Sequence, residues 1–207
     1  VSPADRTHAF VDPAVLDLFV ERLTSAHVEV HRVAAGDVAA EAARVCAERG
    51  VRRLGVPPAF PAWWRPAGVP HDAGAGPEAG VELVEDHGLT PAELDALDAA
   101  LTGCTLAVAE TGSLVLAAGP ADGRRALSLV PDIYLCVVAE DQVEPDLAAA
   151  MDPIAVLIKE TGRPVVFVSG PSATSDIELH RVEGVHGPRH LVVLLVAGPP
   201  PSTGRTA

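Results

Sequence analysis

Two stretches of this chain, residues 133–139 (IYLCVVA) and 191–197 (LVVLLVA), are apolar at every position. A strand with one wet face alternates apolar and polar side chains, so an unbroken run of this kind must be dry on both faces. Each run has strand length, far short of the roughly 18 residues of a membrane-spanning helix. Keeping both faces dry takes helices on each side of a sheet.

The sequence supplies those helices between further strand-sized runs. Asp12 followed by Pro13 is a helix start, and Val15, Leu16, Phe19 and Leu23 then follow at helical spacing. Asp37 caps a second, Ala-rich helix that closes at Gly50. Thr90, Pro91 and Glu93 make a capping box, and the helix they open is predicted to carry Leu94, Leu97 and Leu101 on one face. A fourth helix is expected over residues 143–160, with a break at Pro153. Strands are predicted at 27–33, 52–57, 81–86 and 164–168, and a hairpin or bulge where Glu110, Thr111 and Gly112 interrupt two apolar runs within 106–119. The alternation predicts an α/β protein with a mostly parallel sheet. Residues 1–197 are expected to form a single domain, followed by a loose tail over 198–207.

Composition narrows the function. Hydrophobic residues make up 48% of the 207 residues but aromatic ones only 3%, so Ala, Val and Leu must fill the core. The formal net charge of −13 repels polyphosphate and argues against nucleic-acid binding. Cys46, Cys104 and Cys136 are odd in number and far apart, a pattern that makes no disulfide framework, zinc knuckle or iron–sulfur site. With neither a signal pattern nor a membrane-length run, the expectation is a soluble, cytoplasmic protein. Residues 57–80 are dominated by Pro and Gly and contain Trp63 and Trp64. These tryptophans either fold back over a sheet edge or contact a partner.

The polar stretch 169–189 (SGPSATSDIELHRVEGVHGPR) lies between two apolar runs. Ligands of open α/β sheets bind at the carboxyl ends of the strands, and the run 164–168 is expected to deliver Ser169 to such an end. Gly170 permits close backbone approach, Ser172, Thr174 and Ser175 carry hydroxyls, and Thr174 or Ser175 is placed to cap a helix starting near Asp176. The free amides of such a helix start suit a carboxylate or phosphate, although an ordinary capped turn explains the same residues. His186 lies between Gly184 and Gly187 and suits proton transfer or hydrogen bonding to a substrate oxygen. Asp176, Glu178, His180, His186 and His190 cluster in sequence, but without the spacing of a metal site, so no metal is expected. Glu110, a carboxylate between buried runs, must be hydrogen-bonded or used.

Together, AETGSLVL (109–116), LVPDIYLCVV (129–138), SGPSATSDIE (169–178) and GVHGPRHLVVLLV (184–196) resemble the LUD domain family of the lactate utilization protein C (LutC) type, most clearly over residues 81–197. The resemblance implies a three-layer α/β/α fold of the kind shared by glucosamine-phosphate isomerase, ribose-phosphate isomerase and CoA-transferases. It implies a role in oxidising L-lactate to pyruvate, as an accessory or substrate-handling subunit without a cofactor of its own, its partners carrying the iron–sulfur clusters. Carried onto this sequence, the candidate catalytic residues are Glu110 and His186. The candidate ligand-binding residues are Thr111, Gly112, Gly170, Pro171, Ser172, Thr174, Asp176, Glu178, Gly187 and Arg189, taking a small anion in a pocket with Glu110 across from the 169–189 stretch. Ala173 stands where the family often has a basic residue, and Tyr134 where it often has histidine. The alternative on the same fold is a stand-alone enzyme acting on a phosphosugar, a CoA ester or a folate.

Overall fold

The structure, a computed structural model, describes residues 11–66, 80–171, 173–175, 181–183 and 187–198, with the backbone alone for 173–175 and 181–183. In chain order the elements are α1 (Pro13–Ser25), β1 (Glu29–Ala34), α2 (Val38–Glu48), β2 (Arg53–Val56), β3 (Glu82–Glu85), α3 (Pro91–Asp95), β4 (Ala99–Gly103), β5 (Leu106–Val108), β6 (Ser113–Leu116), β7 (Ile133–Ala139), β8 (Val143–Glu144), α4 (Leu147–Thr161), β9 (Val166–Val168), β10 (Ala173–Ser175), β11 (Arg181–Glu183) and β12 (His190–Ala197). The main sheet has six strands in the order β1-β12-β7-β4-β2-β3, all parallel. The two unbroken apolar runs, β7 and β12, are neighbours inside it, in register from Ile133 against His190.

Both faces are dry, as those runs require. On one face α2 buries Val38, Ala42, Val45 and Cys46 against Leu54, Leu101, Leu135, Val137, Val192 and Leu194. On the other, Leu16, Phe19 and Leu23 of α1 and Leu94 of α3 meet Ala100, Tyr134, Cys136, Val193 and Leu195. Full burial of one Leu or Phe contributes about 1.5–3 kcal/mol. A second sheet, ordered β8-β5-β6-β9, shares that face. Ala107, Leu114 and Leu116 of β5 and β6 point into the same core as α1. Leu106, Val108 and Val115 point the other way, onto Ala150 and Ile154 of α4. The β5–β6 hairpin is therefore buried on both sides, between the main sheet and α4.

Several elements follow their local signals. Asp12 accepts from the Ala14 amide, and the Thr90–Glu93 capping box closes in both directions. The three cysteines are free and buried, and burial pushes the Cys46 thiol up to about 12. Trp64 stacks at 6.0 Å on Phe60 within a short 3-10 turn and packs on the α2-side core, whereas Trp63 is exposed. No helix among the described residues is long and apolar enough to cross a membrane.

Five expectations are corrected. The capping box opens only five residues of helix, and Ala99–Gly103 is β4 instead, because a site in the middle of the sheet outweighs helical spacing. Leu97 and Leu101 consequently enter opposite cores. The fourth helix starts at Leu147, where Asp146 accepts from Ala149, and runs through Pro153 unbroken, while Val143 and Glu144 pair with β5. Asp37 precedes α2 but its side chain makes no capping bond. The run 164–168 is not a buried strand of the parallel sheet: β9 is antiparallel to β6 in the small sheet, and its Phe167 is 44% exposed. Thr174 and Ser175 do not cap a helix but pair as β10 with Val182 and Arg181 of β11.

Candidate functional site at the amino edge of the sheet

The direction of β9 decides where the polar stretch begins. The β5–β6 turn lies at the sheet's amino edge, because its Gly112 abuts Arg22 and Leu23 in the last turn of α1, just before β1 begins. β9 descends beside β6 and delivers Ser169 and Gly170 to that same edge. Gly187 and Arg189 precede β12 and so stand there too, with the Arg189 amide donating to the Asp132 carbonyl at 2.9 Å. The motifs therefore gather opposite the carboxyl edge expected from the usual α/β arrangement.

Glycine makes the convergence possible. Gly112 turns at φ +61°, and a Cβ there would stand 2.8 Å from Arg22 Cβ and 3.0 Å from the Arg22 carbonyl carbon, at the end of α1. Gly170, at φ +151°, lies against Ala26, with its would-be Cβ 3.3 Å from the Ala26 carbonyl oxygen. Both glycines thus abut the last turn of one helix.

Between them runs a chain of hydroxyls. Thr111 Oγ1 lies 2.7 Å from Ser113 Oγ, which lies 2.6 Å from Ser169 Oγ. Ser113 is buried, and Thr111 and Ser169 are exposed at either end. Glu110, also exposed, accepts from the Leu147 amide at the start of α4 at 3.4 Å, and its own amide donates to the Pro145 carbonyl. Exposed to water, this carboxylate does not carry the burial cost that its place between apolar runs suggested. Arg189 Nε is 3.4 Å from Asp132 Oδ1, and both side chains are exposed.

The structure thus brings Glu110, Thr111, Gly112, Gly170 and the half-buried Pro171 together around the end of α1, with Gly187 and Arg189 on the same edge. Ser172, Asp176, Glu178 and His186 lie outside the described residues, and Thr174 is described by its backbone alone. Tyr134 is sealed in the core, its hydroxyl 2.7 Å from Thr102 Oγ1, and burial raises it well above the ordinary tyrosine range. Among the described residues no group of three or more His, Cys, Asp or Glu is arranged to hold a metal ion.

The carboxyl edge is occupied by the chain itself. The strand order reverses between β2 and β4, the usual ligand crevice of such sheets. There the Gly103 amide donates to the Ala121 carbonyl, and Gly123 abuts Pro57 so closely that a Cβ would lie 2.8 Å from its ring. Asp122 is buried in this loop, accepting from Thr105 Oγ1 at 2.6 Å and from the Ala117 amide at 2.8 Å. Burial raises its carboxyl above the ordinary aspartate value despite those bonds.

One residue at the amino edge escaped the sequence analysis. α1 ends in a Schellman motif, with the Val28 amide donating to the Leu23 carbonyl and the His27 amide to the Thr24 carbonyl. The left-handed position of that motif, at φ +62°, is His27. In α2 the same motif uses Gly50, at φ +67°. The signal available in the sequence was a helix end without glycine.

A six-stranded parallel sheet with helices on both faces and motif loops at its amino edge defines an α/β protein of the kind the motifs suggested. The chain belongs to the LUD domain family, whose profile matches residues 16–196. It is 40% identical over 182 residues to lactate utilization protein C of Deinococcus radiodurans, covering 88% of this chain and 79% of that one. To lactate utilization protein C of Bacillus pumilus it is 36% identical over 92 residues, 43% of this chain and 38% of the relative. Among solved structures it resembles a DUF162 family protein from Deinococcus radiodurans, with a TM-score of 0.73 and 32% identity, covering 91% of this chain and all of that one.

Proposed function

We propose that this chain is the LutC-type component of a lactate utilization system, handling a small carboxylate such as L-lactate or pyruvate at the amino edge of its sheet. The observation that carries the reading is the convergence of the Glu110–Gly112 turn and Ser169–Gly170 on the end of α1, joined through Ser113. Thr111 and Ser169 offer exposed hydroxyls to a carboxylate or a hydroxy group, and Arg189, on the same edge, supplies a positive charge to an anion. Names of relatives 36–40% identical support the lactate assignment. The iron–sulfur clusters of lactate oxidation then reside on partner proteins, and this subunit presents or retains the substrate without carrying electrons.

Expression of the chain in a host lacking its own lactate utilization protein C tests this directly. Growth on lactate should return, and tagged protein from those cells should retain iron–sulfur partner proteins. Failure of both at good expression would overturn the reading and favour a stand-alone enzyme on the same fold. Within a complementing strain, His186→Ala and Glu110→Gln should each impair growth on lactate while leaving the melting temperature near that of the parent.

A further inference from the structure

We infer that His27 is a ligand-contacting residue of the amino-edge site, its imidazole hydrogen-bonding the bound carboxylate. The inference rests on the site reading above and adds a residue to it that no motif contains.

The left-handed position ending a helix favours glycine, because a Cβ there crowds the following carbonyl oxygen. This chain obeys that preference elsewhere: Gly50 holds the position after α2, and Gly162 caps α4 at φ +65°. α1 ends with the same hydrogen bonds and places histidine there. Among the described residues only His27 and Ala118 combine a positive φ with a side chain. Backbone strain of this kind clusters at ligand sites and switch regions.

Packing does not account for the histidine. His27 is exposed, and among the described residues its ring has no hydrogen-bond partner. Its position does. Ala26, its neighbour, carries the carbonyl oxygen against which Gly170 rests, and Arg22 and Leu23 of the same final turn abut Gly112. The strained residue thus follows Ala26 directly, at the end of the helical turn that both Gly112 and Gly170 abut. An imidazole donates a hydrogen bond to a carboxylate in either protonation state, a donor that neither Glu110 nor the turn glycines can offer from a side chain.

The test compares His27→Gly, Glu110→Gln and Thr111→Ala in a host whose growth on lactate depends on this chain, with the melting temperature of each purified protein. His27→Gly should raise the melting temperature by about 2–4 °C as the strain is released, yet abolish or severely slow growth on lactate without affecting growth on glucose. A merely structural histidine would lose growth only by losing stability. Normal growth of His27→Gly alongside impaired Glu110→Gln or Thr111→Ala would overturn the role of His27 and leave the site standing. Normal growth of all three would remove both. A lower melting temperature for His27→Gly would overturn the strain on which the inference depends.

Discussion

Ser113 and Ser169 face each other with their Oγ atoms 2.6 Å apart, although one opens β6, the other directly follows β9, and they lie 56 positions apart in sequence. Ser113 also meets Thr111 at 2.7 Å, so one buried hydroxyl ties the hairpin turn to the end of β9. Ser113→Ala should leave Thr111 and Ser169 to water and cost about 1–2 kcal/mol. Ser169→Ala, at an exposed position, should cost less. A double-mutant cycle read by urea unfolding should give a coupling between the two sites, and strictly additive losses would show that the bridge contributes nothing.

Gly112→Ala should be more damaging. The new Cβ would lie 2.8 Å from Arg22 Cβ and 3.0 Å from backbone, and φ there is +61°. Turn strain and overpacking together predict a loss of about 2–4 kcal/mol. Equilibrium denaturation checks it, and a variant as stable as the parent would mean that α1 does not rest on the turn.

Asp86 and Arg124 form a two-point ion pair, with Nε–Oδ2 at 2.9 Å and Nη2–Oδ1 at 2.5 Å. Burial pushes the Asp86 carboxyl up, but the guanidinium and the amides of Leu89 and Gly88 more than offset it, leaving it below the ordinary aspartate value. A carboxyl lowered in the folded state stabilises the protein above its unfolded pKa, about 3.9, and that stability is lost as pH falls through the lower folded value. Arg124→Ala should therefore cost about 2–3 kcal/mol at pH 7, trimmed by solvent screening because Arg124 is half exposed. It should also lessen the contribution of Asp86 to acid sensitivity below pH 4. Chemical denaturation at pH 7 and at pH 3.5 measures both, and an unchanged difference between the two would dissociate Asp86 from the acid response.

Ala118 gives the control for strain without function. It holds φ +49° in the exposed part of the loop after β6, on the opposite edge from the motif turns. Ala118→Gly should stabilise by up to about 1 kcal/mol, less the extra freedom of glycine in the unfolded chain. Growth on lactate should be unaffected. Impaired growth would assign the carboxyl edge a role that the amino-edge site does not explain.

The parts of the fold legible in the sequence were those whose local chemistry and burial agree. Asp12 with Pro13, the Thr90–Glu93 box and the unbroken runs of β7 and β12 each specify one element, and each is present. The misreadings share a cause. Leu97 and Leu101 have helical spacing but enter opposite cores, because β4 is chosen by its place between β2 and β7 and not by its own residues. The apolar run ending in β9 signals a strand without saying which sheet it joins, and that choice moves Ser169 from one edge of the molecule to the other. Glu110, Thr111 and Gly112 were legible as a turn because glycine marks one. His27 was not, since a left-handed residue without glycine leaves no trace in composition or period.

The burial of the β5–β6 hairpin on both faces bears on how its turn can respond to a ligand. Leu114 belongs to one core and Val115, the next residue, to another, so displacing the strand would open both at once. Amides of β5 and β6 should exchange with solvent only through openings close to global unfolding. Residues 109–112 are consequently borne on one of the least yielding parts of the molecule, and a ligand arriving there meets a backbone already in its final shape. Any closing motion on binding must come from elsewhere along the site.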